Sequence, residues 1–171
     1  MTISVKPLMQ DDLPLLLKWL DAPHVKRWWK PHWTAPVVEA LRNGEAPPDW
    51  MRCWRIDYEG RAIGYAHDYD VTQDGGVWDN EPDIGPGVRG IDLLIGEAEF
   101  TNRKLGREAM RVLTKTLFET GEVERTISDP HPDNWPAIIA FKKVGYRERG
   151  RRQLPSGSIM LLTAAKAIWK G

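Results

Sequence analysis

The sequence contains one cysteine, Cys53, and this scarcity excludes an internal disulfide framework. A chain without disulfides fits a reducing compartment, so we expect a cytoplasmic protein. The opening residues, MTISVKPLMQDDL, lack the apolar core that signal peptides carry. Elsewhere no uninterrupted apolar run is long enough to cross a bilayer, and we expect no membrane partner.

Net charge is also absent, because 24 acidic residues balance 24 lysines and arginines. Nucleic-acid-binding domains usually carry a basic excess, so we expect no nucleic-acid partner. The four histidines show no metal-ligand spacing with one another or with Cys53, and we expect no metal site. No P-loop, dinucleotide fingerprint or nucleophile elbow occurs either. Clues to the function must therefore come from local clusters of residues.

The chain does contain a regular succession of strand and helix patterns. Its 171 residues fit one domain, 1–171, with no visible linker. The pattern predicts an α/β (α+β) fold class with a central mixed, mostly antiparallel sheet flanked by helices. Predicted strands cover 2–6, 51–58, 61–70, 87–95, 123–128, 146–153 and 158–164, and predicted helices cover 10–20, 24–29, 34–43, 105–119 and 133–144.

A basic junction lies where a strand-like apolar run gives way to the helix predicted from Leu105. Arg103, Lys104 and Arg107 surround Gly106 at this point. Free N–H groups and the positive dipole end at a helix start favour an anion, and a glycine permits close approach. The junction is therefore either a phosphate site or an ordinary solvated helix start.

An acidic stretch covers residues 68–83 and contains no lysine or arginine. An acidic concavity would attract polyamines or aminosugars, which carry several ammonium groups. Trp78 lies among the acids, and a ring flanked by carboxylates can hold both a sugar face and its ammonium groups. The alternative is a solvated loop whose aspartates form turns. The six acids are Asp68, Asp70, Asp74, Asp79, Glu81 and Asp83.

Asp92 interrupts an otherwise apolar strand, where a carboxylate needs a partner or a purpose. Strand alternation places Gly90, Asp92 and Leu94 on one face. The structural explanation is an ion pair with Arg89 or a hydrogen bond to the backbone. The functional explanation is a carboxylate that binds a substrate amine and takes its proton.

Three stretches of sequence carry a family resemblance. They are GVRGID at 87–92, the loop and helix start through Leu105-Gly106, and DPHPDNWPAIIAFKKVGY at 129–146. In this order they resemble the GNAT acetyltransferase superfamily, and more narrowly the aminoglycoside 6'-N-acetyltransferases. The resemblance implies a GNAT fold and an acetyl-CoA-dependent N-acetyltransferase acting on a cationic small molecule. The leading acceptor is the 6'-amine of an aminoglycoside, which would confer antibiotic resistance.

The resemblance also implies that the loop before the predicted helix binds the pyrophosphate of acetyl-CoA. The family pattern of Gln or Arg, then Gly, then Gly or Ala falls on Thr101, Lys104 and Gly106, and only Gly106 fits. Lys104 adds a Cβ, so either the loop widens and uses basic charge, or acetyl-CoA binding weakens. The implied cofactor-binding residues are Leu93, Leu94, Thr101, Asn102, Arg103, Lys104, Leu105, Gly106, Arg107, Asn134 and Phe141.

Asp92 is the expected catalytic residue, as the anchor or base for the amine. Backbone N–H groups near Leu93 and Leu94 would stabilise the oxyanion if the strand bulges there. Phe141 stands where many relatives carry a tyrosine, and its ring cannot protonate the leaving thiolate. Chemistry should then slow without stopping, because a thiolate is a fair leaving group. The expected substrate-binding residues are Trp78, Asp79, Glu81, Asp92 and Asp129.

Two rival functions remain open at this point. A GNAT enzyme could instead act on a siderophore precursor or a protein N-terminus. A non-catalytic protein could sequester aminoglycosides or coenzyme A without turnover. Asn134 likewise has two explanations, a cofactor contact or a helix cap. We expect the chain to be a monomer or a homodimer.

Overall fold

The computed structural model describes residues 2–171, and its seven strands form one sheet in the order β1-β2-β3-β4-β5-β7-β6. Helices flank this mixed, mostly antiparallel sheet, which confirms the predicted fold class. The elements are β1 Ile3–Pro7, α1 Leu13–Asp21, α2 Pro23–Lys26, α3 Pro31–Arg42, β2 Met51–Tyr58, β3 Arg61–Asp70, β4 Val88–Ile95, α4 Leu105–Glu119, β5 Arg125–Ser128, α5 Trp135–Lys143, β6 Arg147–Leu154 and β7 Gly157–Ala165. Short 3₁₀ turns cover Gln10–Asp12, Val71–Gln73 and Ala98–Phe100.

The predicted and observed ends of helices and strands agree best where a local sequence pattern predicts them. The strands predicted at 51–58 and 61–70 and the helix predicted at 105–119 match β2, β3 and α4. α3 is shifted by three residues, since it begins at Pro31 instead of residue 34, and it accommodates Pro36 in its interior. Proline at a first helical position is favourable, and this explains the earlier start.

The described residues form two compact units. The first unit comprises the chain up to Asp68 together with Asp92–Ala109. The second comprises Tyr69–Ile91 and Met110–Gly171. That the whole chain is a single domain stays a prediction.

Tryptophan packing dominates the core of the first unit. Trp19 of α1 is buried on top of Gly96, where an added Cβ would lie 2.0 Å from the indole ring. The Trp19 indole also donates to Glu97 over 2.9 Å. A Cβ on Gly64 of β3 would similarly lie 2.3 Å from the Leu94 carbonyl oxygen. The buried cluster consists of Leu8, Leu16, Trp19, Val25, Trp29, Val37, Leu41, Met51, Cys53, Tyr65 and Leu94.

The second unit places a parallel strand pair beside a long hairpin. β4 pairs parallel with β5, β5 pairs antiparallel with β7, and β7 pairs antiparallel with β6. Leu154 faces Gly157 across a two-residue turn, and Gly157 has a φ of 124°, which favours glycine. Its buried apolar cluster consists of Val71, Trp78, Ile84, Val88, Ile127, Ile159 and Leu161.

Candidate active site

A histidine holds the carboxylate of Asp92. His67 of β3 places its Nε2 3.0 Å from Asp92 Oδ2. The His67 side chain is 2% exposed, whereas that of Asp92 is 18% exposed. The partner that the structure gives to Asp92 is therefore a histidine, and the structural explanations considered from the sequence, an Arg89 ion pair or a backbone hydrogen bond, did not include it. An anchored carboxylate that still reaches the surface suits the binding of an amine.

Two further protonated groups lie behind His67. The Tyr65 hydroxyl is 3.0 Å from His67 Nδ1 and 3.5 Å from Cys53 Sγ. Burial raises the pKa of the Tyr65 hydroxyl well above its usual value. Burial also raises the pKa of the Cys53 thiol to about 11. Both groups therefore keep their protons at neutral pH.

Neither His67 nor Tyr65 was predicted as a site residue, although a signal exists in the strand pattern. Residues two apart share one face of a strand, so Tyr65 and His67 point the same way from β3. Metal-ligand spacing along the sequence has no bearing on a hydrogen bond across two strands. A search for polar residues at alternate positions of the predicted strands would have found this pair.

An irregularity in backbone pairing lies at the end of β4. The Ile63 carbonyl accepts both the Gly96 N–H, at 2.8 Å, and the Glu97 N–H, at 3.1 Å. Two residues opposite one is the pattern of a β-bulge. This irregularity lies beyond Leu94, whose side chain is buried in the core of the first unit. A role for Leu94 in binding a ligand would therefore fall to its backbone.

The loop before α4 adopts the backbone conformation that glycine would supply. Asn102 has a φ of 59° and Lys104 a φ of 64°, both in the left-handed region. That region costs roughly 1–2 kcal/mol for an ordinary side chain. Lys104 therefore has the backbone conformation that a glycine would have at this position. The two alternatives that the sequence allowed here were a widened loop and weakened acetyl-CoA binding.

The first turn of α4 provides features that fit an anion such as the diphosphate of coenzyme A. Arg107 Nε is a buried nitrogen without a hydrogen-bond partner in the described part of the chain. Its nearest carboxylate oxygen belongs to Glu108, at 3.7 Å. A Cβ on Gly106 would meet only the side chains of Ile95 and Leu93, at 3.6 and 3.9 Å. The start of α4 thus lies against β4, and the buried Nε of Arg107 remains an unsatisfied donor there.

The other residues of the loop before α4 differ in the charge that they can offer to an anion. The Arg103 guanidinium lies 5.1 Å from the Phe100 ring centre and 5.8 Å from that of Tyr58, so its charge is held by aromatic rings. Thr101 donates its hydroxyl to the Ala98 carbonyl over 2.7 Å. Lys104 is exposed. The charge available to a phosphate is therefore that of Lys104 and Arg107.

In the second unit, the acidic stretch is more neutral than its sequence suggested. Glu81 pairs with Arg152, and Asp83 pairs with Arg149 over 3.4 Å. Both arginines come from β6, far away in the sequence. The absence of basic residues within 68–83 therefore overstates the negative charge of this region. Asp79 remains exposed, with its carboxylate folded over Gly76.

Trp78 serves the fold of this loop. Its ring is 3% exposed within the apolar cluster of the second unit, and its Nε1 donates to Asp74 over 3.0 Å. A ring buried to this extent does not present its face to a sugar in this conformation. Its structural role is to fix the loop that carries Asp79.

The motif at 129–146 forms a capped helix over a buried aromatic pair. Asn134 caps α5, because its side chain accepts the Ala137 N–H over 3.4 Å. Phe141 is buried edge-on against Tyr146, with ring centres 4.8 Å apart. The half-buried Asp129 immediately follows β5.

Tyr146 does not replace the missing hydroxyl of Phe141. Its hydroxyl lies 2.8 Å from that of Thr114 and 2.9 Å from that of Thr126. Burial raises the pKa of Tyr146 to about 12. A phenol so enclosed stabilises the unit and is not positioned to protonate a leaving group.

Within residues 2–171, no helix combines the length and apolarity needed to cross a membrane. The same residues contain no group of three or more histidine, cysteine or acidic side chains arranged to hold a metal ion.

Comparisons with known proteins give acetyltransferases and a kanamycin resistance protein as relatives of this chain. Residues 8–154 match the family described as an acetyltransferase (GNAT) domain. The chain is 29% identical over 174 residues to an aminoglycoside N(6')-acetyltransferase type 1 of Klebsiella pneumoniae, covering 99% of this chain and 86% of the relative. A kanamycin resistance protein of Rhizobium radiobacter is 34% identical over 100 residues, which are 58% of this chain and 91% of that protein.

A solved structure agrees with these relatives. The aminoglycoside acetyltransferase AAC(6')-Ib in complex with coenzyme A and kanamycin is similar to this chain with a TM-score of 0.83. The two are 28% identical, and the similarity covers 97% of this chain and 96% of that one.

Proposed function

Because this chain belongs to the GNAT acetyltransferase family, we propose that it transfers an acetyl group from acetyl-CoA to the 6'-amine of an aminoglycoside. The observation that carries the proposal is the Asp92 carboxylate, anchored by His67 and open to the surface. Asp92 Oδ2 is committed to His67, and Oδ1 has no partner among the described residues. A cationic amine can therefore bind to Oδ1.

In this proposal, Asp92 orients the amine and takes its proton, directly or through water. Only a neutral amine has the lone pair needed for attack, so removal of this proton precedes acyl transfer. The backbone N–H groups of Leu93 and Leu94 remain the proposed donors to the oxygen on which negative charge develops, although the observed irregularity in pairing lies beyond them, at Gly96 and Glu97. Fixing both reactants in one orientation supplies much of the remaining acceleration.

The residues that would hold acetyl-CoA surround the first turn of α4. Bound there, acetyl-CoA supplies the acetyl group as an activated thioester. Arg107 offers the charge of its partly exposed guanidinium, Lys104 its exposed ammonium, and the first turn its free N–H groups. Thr101, Asn102, Arg103 and Leu105 shape this loop. We propose that Asn134 and Phe141 also bind the cofactor.

Protonation of the leaving thiolate falls to water in this proposal. Phe141 has no hydroxyl, and the Tyr146 hydroxyl is enclosed by two threonines. Because a thiol has a pKa of about 8.5, its thiolate can leave without a protein acid.

We propose that Asp79 and Asp129 bind the remaining ammonium groups of the acceptor. Asp79 is supported by its exposure, whereas Glu81 contributes less because Arg152 already neutralises it. Trp78 acts indirectly, by supporting the loop that carries Asp79. We propose that the enzyme works in the cytoplasm as a monomer or homodimer without nucleic acid.

Thiol release from acetyl-CoA in the presence of kanamycin tests the acceptor, with NMR of the product to locate the new amide. Acetylation of the 6'-nitrogen is the expected result. Calorimetric binding of coenzyme A without turnover of kanamycin-type substrates would reject the aminoglycoside and favour another amine. Absence of any coenzyme A binding would reject the acetyltransferase itself.

Gly106→Ala provides a matched variant for the cofactor half of the proposal. The protein leaves ordinary contact distances for the new methyl group, so the variant should fold at least as stably as the parent. Weaker coenzyme A binding would then report a ligand close to the backbone. Unchanged affinity would contradict a phosphate seated at this turn.

A further inference from the structure

We propose that His67 is a positioning residue for the acceptor site, which holds the Asp92 carboxylate in place through Nε2. Tyr65 and Cys53 act behind it by keeping a proton on that nitrogen. This inference rests on the proposed function, because it deepens the role of Asp92 as the group that receives the amine.

The burial of the pair explains why His67 acts only through Asp92. At 2% exposure, His67 reaches neither solvent nor a ligand, whereas Asp92 is 18% exposed. The Nε2 to Oδ2 distance of 3.0 Å is that of an ordinary hydrogen bond. Since a carboxylate only accepts, the proton in this bond must belong to Nε2.

The Tyr65 hydroxyl can keep that proton on Nε2 in both charge states of the histidine. When His67 is neutral, Nδ1 has no proton and accepts from Tyr65, which lies 3.0 Å away. When His67 is charged, Nδ1 donates to the Tyr65 oxygen, and the hydroxyl turns to Cys53 Sγ at 3.5 Å. In either case the Nε2–H group faces Asp92.

Aromatic rings hold the imidazole in this orientation. Trp29 lies edge-on to His67 with ring centres 5.5 Å apart, and Tyr65 does the same at 5.5 Å. Trp29 and Tyr65 also contact each other, at 6.0 Å. A flip of the ring would have to displace these neighbours, so the carboxylate has a fixed partner.

A pair of substitutions separates positioning from simple packing. His67→Leu fills the space without a donor, whereas His67→Gln offers an amide N–H to Asp92. We expect His67→Leu to lower kcat/KM for the aminoglycoside by up to about 100-fold, since small displacements of a reacting group have effects of this size. The KM for acetyl-CoA should change little, and His67→Gln should recover most of the loss. Equal activity of both variants and the parent would overturn the proposal.

A spectroscopic measurement on the unaltered protein tests the inference without requiring that a variant folds or that the enzyme turns over a substrate. Long-range ¹H–¹⁵N spectra distinguish the histidine tautomers, and the chain has only four histidines. We expect a proton on Nε2 of His67, and Tyr65→Phe should admit the other tautomer. A neutral His67 protonated on Nδ1 in the parent would overturn the inference. Failure of kanamycin turnover would reject the proposed function and leave this spectrum to decide the hydrogen-bond arrangement.

Discussion

The carboxylate of Asp92 and those of the acidic stretch 68–83 show that equal formal charge does not mean equal availability. Asp92 stands alone in its strand, yet a histidine holds it and leaves one oxygen open. The acidic stretch has six carboxylates, but most of them serve the fold. Three partners are arginines, namely Arg52, Arg149 and Arg152. A count of acids in a sequence is therefore a poor measure of the cations a region can bind.

The largest expected effect belongs to Asp92→Asn. The amide keeps the shape and can still accept from His67, but it cannot take a proton from the substrate. We expect kcat/KM for the aminoglycoside to fall by about 100-fold or more. Calorimetry should give an unchanged affinity for coenzyme A. An equal loss in both measurements would assign Asp92 a structural role and remove its contrast with the acidic stretch.

Asp68→Asn should have the largest effect on stability. Asp68 is fully buried between the Arg52 guanidinium, at 2.8 Å, and the Trp54 indole, at 2.7 Å. Removing one partner of a buried ion pair lowers the free energy of unfolding. Because Arg52 is partly exposed, we expect a loss of about 2–3 kcal/mol. Denaturant titration measures it, with Asp83→Asn as the exposed control. Similar losses in the two variants would contradict the division between buried and surface pairs.

Asp79→Asn and Glu81→Gln form a matched pair within the loop. Asp79 is exposed, so its removal should raise the KM for the aminoglycoside several-fold, as expected from about 1 kcal/mol for a surface ion contact. Glu81 is already neutralised by Arg152, and its variant should leave that KM nearly unchanged. The reverse order would show that the Arg152 pair opens to admit substrate.

Asp70→Ala should have the smallest effect, and one that depends on pH. Hydrogen bonds from the Thr72 hydroxyl and backbone N–H lower the pKa of Asp70. A depressed folded-state pKa adds stability above the unfolded-state value of about 4, and this stability is lost as the pH falls through the folded value. Asp70 caps the start of the short turn Val71–Gln73. Loss of this cap should lower the free energy of unfolding by about 0.5–1 kcal/mol at pH 7. Denaturant titrations at pH 7 and in strong acid check this, and a difference that persists in acid would contradict it.

The fold could be predicted largely because its signals are local. Residues Glu59 and Gly60 form a turn between β2 and β3, and such a Gly-containing turn can be recognised in the sequence. The spacing of apolar residues likewise predicts the bounds of α4. The family of the chain was also predicted from motifs that keep their order along the sequence. Asp92 could be chosen from sequence since a carboxylate in an apolar strand is conspicuous.

The parts of the site that escaped prediction depend on long-range contacts or on backbone conformation. Glu81 and Arg152 are 71 residues apart, and no local pattern indicates their pairing. His67 and Asp92 lie on different strands and are 25 residues apart in the sequence. The left-handed backbone at Lys104 opposes the preference of its own side chain, so local propensity argues against it.

The two glycines that lie beneath their neighbours in the first unit limit how such an enzyme can evolve. Any side chain at Gly64 would strike the Leu94 carbonyl oxygen, and any side chain at Gly96 would strike the indole of Trp19. Adaptive change in this strand pair is thereby confined to side chains that already exist.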